Sequence, residues 1–298
     1  MSRTGFRVTV LLTLVVHGIC CVAVSSAASP GPAERIRVAL DRGDVDAAIA
    51  IGEPAAAMTP GDSETWLWLG RAYGRKAQTA SVFSRIGFAK KCRGAFEKAV
   101  EADPRNLDAA EDLFSYYLHA PGIVGGSREK ARELAETLWK LDPVSGQIAK
   151  GRILAAEKDY AGSEAVLARA VEAEPGGYRG AVALGNLYVG QKRWTDARAF
   201  WQGRLDSAPP GDALAHFHLA RVAYLSGTEL EKGVGHLEAY LAVPPLPGRP
   251  TWADAHWRLG LLYEKLERRN EARVELQAAL TLSPGHAQAR KDLERLRE

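Results

Sequence analysis

The residues able to do chemistry in this chain are few and scattered. His216 and His218 stand two apart in a stretch of helical apolar spacing. That spacing turns them to different faces and keeps them from sharing a metal ion. The run Asp41-Arg42-Gly43-Asp44-Val45-Asp46 is acidic, but it lacks the alternating oxygen ligands and distal Glu of a calcium loop, and Gly43 reads as a turn. Cys92 sits at a small-residue position with no flanking motif. A buried, inert thiol is expected there, although Lys90 and Lys91 adjoin it. There is no H-E-x-x-H, no G-x-S-x-G, no phosphate-binding loop and no G-x-G-x-x-G opening a helix. The sequence therefore predicts no catalytic residues, no resident metal and no cofactor.

Composition bounds the rest. Of 298 residues, 46% are hydrophobic and 25% charged, the balance of a folded globular chain. The 39 basic and 36 acidic residues leave a net charge of +3, too small an excess to predict a nucleic-acid partner. Three cysteines cannot make a disulfide framework.

The first residues read as an address. Arg3 and Arg7 precede an uncharged, mostly apolar stretch over 8–24, and Ser25-Ser26-Ala27-Ala28 supplies small residues for a peptidase. A signal peptide over 1–28, cut after Ala27 or Ala28, is expected. The alternatives are an uncleaved anchor helix and, with a poor match around Cys20, a lipoprotein. Cleavage would leave Cys92 as the remaining thiol and 29–298 as a nearly neutral chain with no stable membrane insertion. The expected location is the cell exterior: periplasm where the cell has two membranes, otherwise secreted or wall-associated.

An internal repeat decides the architecture. Leu69-Gly70-Arg71-Ala72-Tyr73, Leu184-Gly185-Asn186-Leu187-Tyr188 and Leu259-Gly260-Leu261-Leu262-Tyr263 share one pattern, with a Gly two residues ahead of an apolar or small position and Tyr at the end. Each is followed by a second apolar-periodic run that ends near a proline. Prolines 143, 175, 209, 245 and 284 are spaced 32, 34, 36 and 39 residues apart. Gly after Leu, and Ala197 or Ala272 opening the second run, allow two helices to approach closely, and the aromatic wedges between them. This pattern is similar to the tetratricopeptide repeat, a helix–turn–helix unit of about 34 residues.

The resemblance implies an all-α, right-handed superhelical solenoid of about seven units. Their approximate bounds are 33–60, 63–104, 107–143, 144–175, 178–209, 213–245 and 253–284, followed by a C-terminal cap helix over 285–298. Trp66, Trp194 and Trp201 fall on positions filled by packing aromatics. Two insertions break the period, one within 74–92 and one at 119–127, where Pro121-Gly122 and Gly125-Gly126 mark a turn and Ser127 caps the next helix. Residues 243–250 read as a stiff proline-rich connector.

The resemblance further implies that each leading helix lines a concave groove. The place two residues after Leu of Leu-Gly then holds Arg71, Ser115, Arg152, Asn186, Arg221 and Leu261. Four residues before these lie mostly apolar residues, Phe217 and Trp257 among them, and Arg75, Arg179, Tyr224 and Lys265 fall at other groove-facing places. Guanidinium groups bind carboxylates through two parallel bonds, so an extended peptide or protein carrying carboxylates is the partner class expected. The arrangement is similar in kind to the carboxylate clamp of chaperone-binding repeats but lacks its paired Lys and Asn. The competing reading pairs these arginines with acids of neighbouring helices. The function expected is an exported, non-enzymatic interaction module, a scaffold or assembly factor of the cell envelope. The alternatives are a structural partner binding through the convex face or the 119–127 loop, and an enzyme or ligand carrier framed on repeats. Oligomeric state is not legible.

Overall fold

The computed structural model describes residues 30–207, 213–244 and 248–296. Residues 31–298 form a compact unit by themselves. The expected leader, Pro209 and Pro245 lie outside the described residues, as does part of the 243–250 connector.

The described residues form fifteen α-helices and no strand. The helices are α1 (Pro32–Asp41), α2 (Val45–Met58), α3 (Ser63–Thr79), α4 (Val82–Ala102), α5 (Leu107–His119), α6 (Arg128–Leu141), α7 (Pro143–Ala156) and α8 (Tyr160–Ala173). They continue as α9 (Arg179–Gly190), α10 (Trp194–Asp206), α11 (Leu214–Ser226), α12 (Leu230–Leu241), α13 (Trp252–Lys265), α14 (Arg269–Leu282) and α15 (Ala287–Arg295). Each helix packs chiefly on its chain neighbours, so the core runs along the stack in four successive apolar clusters. That is the nearest-neighbour organisation of a solenoid.

Local chemistry starts the helices. Asp44, Asp62, Asn106, Ser127, Asp142 and Asp159 each accept the backbone N–H three residues on, and Thr251 with Asp254 closes a full capping box. Pro143 departs from the expected role of terminator. It is the first residue of α7, where its missing N–H costs nothing, and Asp142 alone separates α7 from α6.

Within a pair, the repeat glycines do the work expected of them. A Cβ on Gly185 would lie 2.6 Å from the Trp201 ring, and one on Gly70 would lie 2.5 Å from Phe96. Ala197, Ala272 and Trp201 are buried. Between pairs, the repeat tyrosine acts as a stitch. Tyr73 donates to Glu53 (2.7 Å), Tyr117 to Glu97 (2.7 Å) and Tyr188 to Glu164 (2.9 Å), each carboxylate lying on the preceding trailing helix. A cation covers each of these rings: Lys91, Lys130 and Arg193 respectively.

The two insertions join into one feature. The surplus at 74–92 is helical: α4 runs 21 residues, whereas the other trailing helices run 12 to 14. The 119–127 insertion forms a short 3-10 turn, Gly122–Val124, packed against α4. Tyr116 Oη lies 2.8 Å from the Ala89 carbonyl and 3.0 Å from that of Val124. Gly125, at φ 94°, leaves the room that the Arg93 side chain fills.

Candidate functional site

The curvature of the stack identifies its inner side. Leading helices touch one another: α1 with α3, α3 with α5, α5 with α7, α7 with α9 and α11 with α13. Trailing helices make no comparable contact among the described residues, so the leading helices lie on the inside of the curve. The register of the inner row is visible in two bonds between equivalent positions of adjacent units. Arg152 donates to Ser115 Oγ (2.9 Å), and Arg221 donates to Asn186 Oδ1.

The row divides by what its arginines touch. Arg71 is taken by acids of the next unit, with Nε 2.6 Å from Asp112 and Nη2 3.2 Å from Asp108, and its guanidinium lies over Trp68. Arg179 is also engaged, 2.9 Å from Asp142, 3.5 Å from Glu174 and 2.9 Å from Ser145 Oγ. Arg75 donates to the Leu40 carbonyl (2.6 Å) at the end of α1. Arg71 and Arg179 thus pair with acids, as the competing reading has it, whereas Arg75 binds a backbone carbonyl.

Arg152 and Arg221 have no ion pair among the described residues. Arg152 lies over the Phe114 ring and 3.0 Å from His119 Nε2, and burial holds its pKa below the usual guanidinium value. Burial does the same to Arg221. Beside Arg221 stands Arg258, which the sequence reading missed. Its guanidinium covers Phe217 at 5.0 Å and Trp257 at 5.3 Å, and its Nε is buried without a hydrogen-bond partner among the described residues. Burial, and next the Arg221 charge, push the Arg258 pKa down to about 10. The signal was available: Arg258 lies one turn before Leu261 of the expected row, on the same side of α13.

The aromatic members are less free than expected. Phe217 is buried and packs on Tyr240, with ring centroids 5.3 Å apart. Trp257 donates from Nε1 to Asp292 (2.9 Å) and so fastens α15. Lys265 lies over Tyr224 at 4.8 Å.

The other chemical candidates are inward or paired. Cys92 is buried, and burial pushes its thiol up to about 12. His218 stacks on Trp201 at 4.1 Å, while His216 Nδ1 lies 2.9 Å from His236 Nδ1. No group of three or more His, Cys, Asp or Glu converges among the described residues, and no helix among them is long and apolar enough to cross a membrane.

Similarity to known proteins bears on the fold. Residues 253–286 match the family model described as Tetratricopeptide repeat. A tetratricopeptide repeat protein from Parabacteroides merdae is similar at TM-score 0.51 and 15% identity, covering 90% of this chain and 98% of its own. IFIT1, solved as a monomeric mutant with Gppp-AAAA, is similar at TM-score 0.52 and 15% identity, covering 85% of this chain and 59% of its own. No curated protein sequence matches the chain. Residues 253–286 thus carry a tetratricopeptide repeat, and over most of its length the chain shares the helical-stack fold of the Parabacteroides merdae tetratricopeptide repeat protein.

Proposed function

We propose that the protein is an exported, non-enzymatic interaction module whose inner face holds an acidic segment of a partner protein, as a scaffold or assembly factor of the cell envelope. Proteins built from this repeat are generally protein–protein interaction modules. Export rests on the basic, apolar and small-residue order of the first 28 residues.

The observation that carries the choice of partner is the Arg221–Arg258 pair. Two guanidinium groups near enough to depress one of them, partly removed from water and without an ion pair among the described residues, form an unfavourable arrangement in isolation. A carboxylate set between them would reverse the sign of that interaction and accept forked hydrogen bonds. Phe217 and Trp257 beneath Arg258 give it a fixed aromatic platform. Arg152 would take a second acidic residue further along the same face.

The test uses residues 29–298 and a tri-glutamate peptide as probe, read by calorimetry. Arg221→Gln with Arg258→Gln is expected to weaken binding about tenfold or more, the worth of one or two charge-assisted hydrogen bonds. Arg71→Gln, already committed to Asp108 and Asp112, is expected to change affinity by less than about twofold. Equal affinity of the double variant and the unaltered chain would sink the proposal.

A further inference from the structure

The joined insertions carry a surface that the inner-face reading does not use. The hairpin of α3 and α4 rises about two helical turns beyond its neighbours, and it ends in large apolar side chains facing water. Phe83 is 93% exposed, Val82 70% and Ile86 39%. Ile123, on the 3-10 turn that props α4, is 73% exposed.

This tip is built rather than frayed. Arg85 Nε donates to the Ala77 carbonyl (3.1 Å) and its Nη2 to that of Ala80 (3.3 Å), which closes the turn between the helices. Below the tip, the Tyr73 and Phe88 rings pack at a tilt of 35°, and the Tyr116 hydroxyl ties α4 to the 3-10 turn. A rigid support that lifts bare Phe and Val side chains away from the stack costs exposed apolar area, and some surface must cover it.

Charge says which surface. No Asp or Glu occurs from 65 to 96, a span holding seven Lys or Arg. Lys76 and Lys91 are answered by Asp46 and Glu53 from α2, lower on the hairpin. Arg85 at the tip, and Lys90 about two helical turns below it on α4, have no carboxylate partner among the described residues. An apolar tip with cations below it, in a span free of acids, is the chemistry of an interfacial anchor on an anionic bilayer. The tip is convex. A protein partner would have to supply a cavity for Phe83, whereas a headgroup layer opens around it. A single exposed ring among aliphatic side chains is not a stacking platform for bases.

We propose that the α3–α4 hairpin is a membrane-surface anchor, inserting Val82 and Phe83 among the headgroups of anionic lipids while Arg85 and Lys90 meet their phosphates. The inner face then remains open to a protein partner held at the bilayer.

The test is flotation of residues 31–298, the compact unit, with vesicles of phosphatidylcholine alone or mixed with phosphatidylglycerol. Helical content of every variant is checked first by circular dichroism. The unaltered unit is expected to float with the mixed vesicles and to be released by salt. Val82→Ser with Phe83→Ser is expected to cut vesicle binding about tenfold, since both side chains leave the apolar layer. Lys90→Glu is expected to cut it about threefold or more without touching the apolar wedge. Failure of the unaltered unit to float with phosphatidylglycerol, or equal flotation of the Val82/Phe83 variant, overturns the proposal. Tip-dependent binding of polyglutamate without vesicle binding overturns it too, and assigns the hairpin to an acidic protein. None of these outcomes bears on tri-glutamate binding at Arg221 and Arg258, so the two proposals stand or fall separately.

Discussion

A single buried imidazole gives the stack a pH dependence. His218 is pressed flat on the Trp201 indole, and burial, helped by the charges of Arg221, Arg258 and Arg249, lowers its pKa from 6.5 to about 3. The unfolded chain therefore takes up a proton near pH 6.5 that the folded chain refuses until about pH 3. Stability contributed by the neutral ring is complete above the unfolded value and falls as pH drops through that window, by about 1.4 kcal/mol per unit. Burial also lowers His119, His216 and His236, so these act in the same direction. Urea unfolding at pH 7 and pH 5.5 is expected to show the drop, and His218→Phe, which keeps a ring on Trp201, is expected to shrink it by about 1 kcal/mol. An undiminished pH dependence in that variant would assign the effect to other groups. At the same scale, the sequence reading of His216 and His218 was sound about their divergence. It could not foresee that His218 turns inward onto a tryptophan, because the partner comes from another helix.

Elements repeat their solutions, and one of them is strained. The turn inside a unit needs a residue in the left-handed region. The first unit supplies Gly43 at φ 76°, but the fourth, fifth and seventh use Lys158 at 67°, Lys192 at 56° and Glu267 at 61°. A side chain costs about 1 kcal/mol there, and glycine removes that cost while adding freedom to the unfolded chain. Lys158→Gly with Lys192→Gly is therefore expected to raise stability by about 1 kcal/mol in denaturant titration, with no loss of helicity. A lower midpoint would mean that these lysines make contacts outweighing the strain. The elements themselves were readable from Leu-Gly-x-x-Tyr, because close approach and wedging are local demands on residue type. The inner row was less readable. Sequence spacing placed Arg71, Arg152 and Arg221 in register, but only packing shows that Asp108 and Asp112 reach Arg71 while Arg221 meets another arginine. Which helix extends past its neighbours was equally hidden. An insertion at 74–92 has the same length whether it loops or lengthens α3 and α4.

At the scale of the whole stack, nearest-neighbour packing is not the only constraint. The turn between α1 and α2 meets the loop between α14 and α15: a Cβ on Gly285 would fall 2.0 Å from Gly43 Cα, and Ser283 Oγ donates to the Asp41 carbonyl at 3.3 Å. An open solenoid gains stability unit by unit and can fray from either end. Contact between its first and last units joins those ends, so that fraying of α1 and α2 also exposes the α14–α15 loop. It also fixes the curvature of the inner face, and with it the spacing between Arg152 and Arg221. Two glycines are required because the backbones approach without room for either side chain. Gly285→Val, placed in a loop and away from every helix interior, is expected to part the ends while leaving circular dichroism unchanged. Small-angle scattering would then give a larger radius of gyration, and stability would fall by about 1 to 3 kcal/mol, the usual cost of forcing a side chain into a packed contact. The same variant should weaken tri-glutamate binding only where the peptide spans both Arg152 and Arg221, because opening the curve lengthens that distance and leaves the Arg221–Arg258 pair intact. A variant with unchanged scattering and unchanged stability would show that the ends do not hold one another in solution.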